Sequence, residues 1–167
     1  MVIKLMKQFV YKIALTNIPD LSERQNGSFA MIGNIFVALK HFPLLLSRYG
    51  LSTTLLKLLL KFLLRRNILY VVIYQNKIVS DGIISFGMCK YYRIGSKDCI
   101  IGPVFTDSNY RGKGFATFGL LSCLHGLKGN KSVTNVYIDT SEDNLAMQTV
   151  INKLNFICSD KTYNRND

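Results

Sequence analysis

Ile100–Thr117 reads IIGPVFTDSNYRGKGFAT, and its reading decides how the rest of the chain is understood. An apolar run, Ile100–Thr106, enters a polar turn that carries Gly112 and Gly114. The turn opens a helix from about Gly114 to Leu127, with Leu120, Leu121, Leu124 and Leu127 at helical spacing. Such a strand–turn–helix leaves the first N–H groups of the helix unpaired at the positive end of its macrodipole. That is an anion site suited to a phosphate or pyrophosphate. The two glycines permit close backbone approach, and Arg111 and Lys113 add positive charge. The spacing is neither that of a P-loop nor that of a dinucleotide loop, whose third glycine is here Thr117.

Outward from this stretch, the chain alternates strand and helix signals. Ile68–Tyr74 is β-branched and aromatic, a strand pattern, and Gln75–Lys77 turns it into a second strand, Ile78–Tyr91. Asp81-Gly82 inside that second strand marks a bulge. Asp98–Thr106 is a third strand, interrupted by Gly102-Pro103. Downstream, Val133–Thr140 reads as a strand. A helix capped by Ser141 or Asp143 follows through Leu154, and Phe156–Thr162 is a short last strand. Upstream, residues 5–16 form an imperfectly alternating strand that ends at Asn17 and Pro19. Phe29–Tyr49 has helical spacing broken at Pro43 and stopped at Gly50, and Ser52–Arg66 is a Leu-rich helix. No repeat or linker divides the 167 residues, so one α/β domain spanning 1–167 is expected.

The balance of 21 Lys and Arg against 10 Asp and Glu gives a net charge of +11. A basic surface points to nucleic acid, an anionic membrane or a polyanionic small molecule. At 49% apolar and 19% charged residues, the chain is not a disordered one. Leu51–Arg66 is too short and too charged to span a bilayer. Its Lys57, Lys61 and Arg65 recur every four residues on an apolar helix, compatible with packing on a core or with lying on anionic lipid. The wide apolar arc favours packing.

Lys4 and Lys7 interrupt any signal-peptide core, so the expected compartment is the cytoplasm. Cys89, Cys99, Cys123 and Cys158 have no metal-ligand spacing and are expected to be free and mostly buried, with no metal site. His125 lies within a helix pattern and reads as a packed residue rather than a base.

Arg111-Gly112-Lys113-Gly114-Phe115-Ala116 resembles the R/Q-x-x-G-x-G/A acyl-CoA loop of the GCN5-related N-acetyltransferases (GNAT). Asn144–Phe156 is similar to that family's N-x-x-A-x-x-x-Y-x-K-x-G-F helix, and the element order agrees. The resemblance covers residues 68–160 well and the first third in outline. It implies an α/β (α+β) fold with a central mixed, mostly antiparallel sheet flanked by helices and splayed fourth and fifth strands. The family's last strand is missing here or supplied otherwise. Two positions depart from the pattern: Ile151 replaces the tyrosine that protonates departing thiolate, and Asn155 replaces a glycine whose left-handed angles Asn can also adopt.

The resemblance further implies acetyl-CoA as acyl donor. Its pantetheine arm would pair with the edge Val104, Phe105 and Thr106, its pyrophosphate would sit on the amides of Arg111–Ala116, and Asn144 would contact the arm. Lys113 would meet the adenosine phosphate. The reaction would be direct acetyl transfer to the primary amine of a small molecule, a nucleotide-linked amino sugar first among the acceptors, in a monomer or homodimer. The amine must lose a proton, for which Asp139, then Glu142 and Asp143, are candidates, with Tyr137 a substitute proton donor. Two other readings stand beside this one. The chain could be a degenerate acyl-CoA binder, because Ile151 removes the acid. It could instead be a basic membrane-peripheral protein using 51–66. Nucleic acid ranks last because no aromatic-basic recognition motif is present.

Overall fold

The computed structural model describes residues 5–20, 27–64, 67–129 and 132–166. The elements run β1 (Leu5–Ala14), β2 (Ser28–Ile32), α1 (Ile35–Lys40), α2 (Phe42–Tyr49), α3 (Thr53–Leu63), β3 (Asn67–Tyr74), β4 (Lys77–Phe86), β5 (Asp98–Thr106), α4 (Phe115–Lys128), β6 (Asn135–Ser141), α5 (Leu145–Lys153) and β7 (Ile157–Asn166). The seven strands form one sheet in the order β2-β3-β4-β5-β6-β1-β7. All neighbours are antiparallel except β5 and β6, which are parallel.

Alternation along β3 assigns the two faces. Leu69 and Val71 pack with Leu45, Leu55, Leu58 and Phe62 of the α1–α3 layer. Tyr70 points the other way, into a core with Leu120, Leu124 and Leu127 of α4 and Ile151 of α5. The sequence pattern failed to separate β2 from the helices behind it. Ser28–Ile32 is a strand paired with β3, and the helical spacing read over Phe29–Tyr49 belongs to two short helices. Pro43 sits in the first turn of α2, where its missing N–H is harmless, rather than inside a helix.

Other boundaries also move. The second hairpin strand ends at Phe86, not Tyr91, and α5 is capped by Asn144, whose side chain accepts the Met147 N–H at 3.2 Å, rather than by Ser141 or Asp143. The bulge expected at Asp81-Gly82 is seen as a register shift between Gly82 and Ile84. Gly126 does not end α4. A Cβ there would lie 2.7 Å from the Met31 sulfur, the far end of a flexible side chain. Asn155 has φ +61°, the left-handed conformation expected of it. Arg65 of the basic stripe, its neighbour Arg66, and residues 21–26 of the polar stretch before β2 lie outside the described residues.

The chain's own beginning is inserted next to the edge strand β7. β1 lies between β6 and β7, with Val10 opposite Asp139 and Gln8 opposite both Ser141 and Tyr163. Its imperfect alternation follows from this central position. Tyr11 and Ile13 face the α4 core while Gln8 and Val10 are buried on the opposite face, so neither side reads as solvent.

Candidate active site

β5 and β6 pair only over Asp98–Ile100 and Asn135–Tyr137. Beyond Ile100 and Tyr137 the two strands diverge and leave a cleft of about 510 Å³. Val104, Ile138, Asp139, Ser141, Asn144 and Met147 are among its lining residues. The far side of β5 stays paired with β4. Phe105 carbonyl accepts from Ser80 Oγ at 2.8 Å, and Asp107 N–H donates to Val79 carbonyl at 2.9 Å. By strand alternation the backbone groups of Val104 and Thr106 therefore turn towards the cleft. Thr106 carbonyl accepts from Arg111 Nε at 3.2 Å, which closes that end of the edge and leaves the terminal guanidinium N–H groups to other partners.

The glycine turn follows directly. Asp107 caps a single 3₁₀ turn over Ser108–Tyr110, and Gly112 and Gly114 take φ of +74° and +81°. Gly114 is the N-cap of α4 and supplies no side-chain cap, and no acidic residue stands in the first turn. The first intrahelical bond is Phe118 N–H to Gly114 carbonyl, so the amides before it point out along the positive end of a 14-residue helix. Phe115 anchors this start. Its ring is buried against Tyr74 at 5.4 Å and Tyr110 at 5.9 Å. Lys113 Nζ donates to Asn109 carbonyl at 3.0 Å, which holds it within the turn. These features fit an acyl-CoA: a cationic amide cradle with no acid in the first turn of α4, a strand edge beside it and a cleft between.

The four candidate proton carriers separate in space. Asp139 lines the cleft and accepts a hydrogen bond from the Tyr92 hydroxyl at 3.2 Å. Burial and the Asp139 charge raise the Tyr92 pKa, so this phenol stays protonated and donating. Tyr137 is buried, packed beneath Lys12 and Lys161 at 5.8 and 5.4 Å from its ring centroid, and is not among the lining residues. Glu142 is exposed in the β6–α5 turn, with Asp143 beside it. Ile151 is fully buried in the α4 core, one turn beyond Met147. His125 Nε2 lies 2.9 Å from Pro19 carbonyl, a packed residue as expected.

Several cleft residues carry no motif and were invisible to sequence reasoning. The segment between β4 and β5 folds over β6, β1 and β7. Tyr91 stacks on Tyr163 at 4.8 Å, and Lys161 Nζ donates to Arg93 carbonyl at 2.6 Å. It brings Met88, Cys89, Lys90 and Tyr91 to the cleft. Gln8 enters from β1, 6% exposed, with no side-chain hydrogen bond among the described residues. On the other flank, Arg48 of α2 pairs with buried Asp81 at 2.8 Å and lies 4.0 Å from the Phe105 ring centroid. Burial raises the Asp81 pKa and prevails over the lowering effect of Arg48. Phe105 thus faces α2 with its ring and β4 with its carbonyl, so of the expected edge residues it does not turn to the cleft. A buried acid in a strand was the available signal for this pair.

The acetyltransferase (GNAT) family model matches residues 69–156, more than half of the chain. The chain belongs to the GNAT family. No curated protein matches it in sequence. Among solved structures, a GCN5-related N-acetyltransferase from Kribbella flavida is 8% identical, with 99% of this chain and 60% of that one covered and a TM-score of 0.63. A GNAT-family acetyltransferase from Colwellia psychrerythraea is 17% identical, with 98% and 56% covered and a TM-score of 0.62. The chain therefore spans about three fifths of the length of these first relatives. AAC(6')-Iy, solved with the bisubstrate analog CoA-S-monomethyl-acetylneamine, is 15% identical, with 82% and 95% covered and a TM-score of 0.62. At these identities the likeness is one of fold. It covers the α/β architecture with a mostly antiparallel sheet flanked by helices.

Proposed function

We propose that residues 1–167 act as a single GNAT domain that moves an acetyl group from acetyl-CoA to the primary amine of a small molecule. The observation that carries this reading is the opening of the sheet at Ile100 and Tyr137, with the uncapped amides of α4 at its mouth. When bound, acetyl-CoA supplies the acetyl thioester. The amides of Gly112–Ala116 and the charges of Arg111 and Lys113 bind its pyrophosphate, and the Val104 edge orients the arm as an added strand would. Asn144 uses its carbonyl oxygen as the α5 cap and keeps its NH₂ to donate into the cleft.

Asp139 is the base of this scheme. It is the only acidic side chain among the described lining residues, and it takes the proton from the ammonium before the amine nitrogen displaces the thiolate. Gln8 stands beside it, diagonal across the β1–β6 pair. Its amide both donates and accepts, which suits a hydroxyl next to the amine, as in an amino sugar. One carboxylate, with Lys90 the only basic residue among the described lining residues, matches an acceptor with one ammonium rather than a polycation. No described helix is long and apolar enough to cross a membrane. The proposed setting is the cytoplasm, with the domain acting as a monomer or homodimer.

The test is acetyl transfer to amino sugars, single amines and polyamines. Asp139→Asn should lower kcat by roughly 100-fold or more with the acetyl-CoA KM unchanged, whereas Tyr137→Phe and Glu142→Gln should stay within about twofold. A second reading, an acyl-CoA binder without transfer, is favoured by Ile151, which leaves α5 without a proton donor at the position where the family has its tyrosine. Cofactor binding without turnover on any amine would establish it.

A further inference from the structure

The acetyl-transfer site leaves most of the charge unexplained. Between Glu23 and Asp81 the sequence holds no acidic residue, but it holds Arg24, Lys40, Arg48, Lys57, Lys61, Arg65, Arg66 and Lys77. The same stretch builds α1–α3. α3 buries Leu55, Leu58 and Phe62 against the sheet. Its opposite side is not polar. Leu56 is 59% exposed, Leu60 51%, Leu63 63% and Leu64 62%. At 100° per residue these four leucines make one outward stripe, and exposed Lys57 and Lys61 make the next stripe along. α1 packs against α3 and turns Phe36 and Leu39 outward, with exposed Lys40 beside them.

We infer that the outer face of α1 and α3 docks on an anionic lipid bilayer, its leucines and Phe36 entering the interface and its lysines meeting the headgroups. An apolar stripe flanked by lysines is the pattern of a helix lying in a membrane interface. Leu and Lys are under-represented at the centres of protein–protein interfaces, where Tyr, Trp and Arg dominate, so the composition fits lipid better than a protein partner. A second copy would bring an equally basic face against this one, with no described acid on α1–α3 to relieve the repulsion. The face is separate from the cleft, and the inference stands whether or not the acetyl-transfer reading holds.

The experiment is cosedimentation of the full chain with vesicles of pure phosphatidylcholine and of phosphatidylcholine with 30 mol % phosphatidylserine, a composition on the order of an anionic leaflet. Binding should rise at least about tenfold with phosphatidylserine and fall with salt. Leu56→Glu/Leu60→Glu should abolish it with the thermal midpoint unchanged, because both side chains are exposed. Lys57→Ala and Lys61→Ala should each weaken it roughly fivefold. No binding, equal binding to both vesicles, binding that survives Leu56→Glu/Leu60→Glu, or a dimer in light scattering that the same variant dissociates would each overturn the inference.

Discussion

Gly82→Ala is the substitution with the sharpest structural consequence. Gly82 sits in β4 opposite Val104, the residue whose backbone forms the cleft edge. A Cβ there would lie 2.5 Å from Cε1 and 2.8 Å from Cζ and Oη of Tyr70. The ring is fully buried and cannot retreat. A Cβ at Gly119 of α4 would be only 3.0 Å from its Cε2, so the helix already packs tightly behind it. Forcing one methyl into such a space costs about 1–3 kcal/mol. The loss of glycine's freedom in the unfolded chain offsets about 0.4–1 kcal/mol of that. A net loss of about 1–2 kcal/mol lowers the thermal midpoint by roughly 2–8 °C for a chain of this size. Urea and thermal denaturation measure it, and Tyr70→Leu in the same background should relieve most of the cost as a double-mutant coupling. The reasoning is refuted if Gly82→Ala is neutral, or if Tyr70→Leu leaves its cost unchanged.

Gly112→Ala is the contrasting case. No atom lies within 4 Å of its Cβ position, but φ is +74°, so a loss of about 1 kcal/mol should appear that no neighbouring substitution relieves in a double-mutant cycle. Asp81 has a raised pKa in the folded state, so the native protein holds its proton more tightly than the unfolded chain. Its stabilising contribution is complete below the ordinary value of 3.8 and is lost as pH rises through the folded value. The stability of the wild type relative to Asp81→Asn should therefore improve as pH falls from neutral towards 3.8 in urea titrations. Burial pushes the Cys99 thiol up to about 12 and Cys123 well above its usual value, while Cys158 is exposed and Cys89 lines the cleft. A disulfide reagent should label Cys158 at once and Cys89 more slowly, with acetyl-CoA protecting Cys89, and should reach Cys99 and Cys123 only on unfolding.

The back half of the chain was legible because its signals are local. Glycine turns, β-branched runs and the Asn144–Phe156 helix are set by neighbouring residues, and the structure keeps their type and order while moving ends such as that of β4. The front third was not, because its arrangement is decided by tertiary pairing. Ser28–Ile32 carries the same apolar content as the helices behind it and becomes a strand only by pairing with β3. β1 finds its place between β6 and β7 through partners more than a hundred residues away, which no window of sequence contains. The same limit applies to the site. The amide cradle is written in Arg111–Ala116. Gln8, Tyr92 and Tyr163 reach Asp139 or the cleft only through that distant pairing and the excursion between β4 and β5.

The central claim is that the start of α4 and the open edge of β5 hold acetyl-CoA, and a calorimetric titration of the full chain with acetyl-CoA tests it most directly. The wild type should bind with saturable affinity. Gly114→Asp places a carboxylate and a Cβ at φ +81° in the amide cradle. It should weaken binding by at least about a hundredfold, as expected for setting a fixed negative charge against a pyrophosphate. Absence of heat and of thermal stabilisation in the wild type at millimolar acetyl-CoA, or equal binding by Gly114→Asp, would contradict the account.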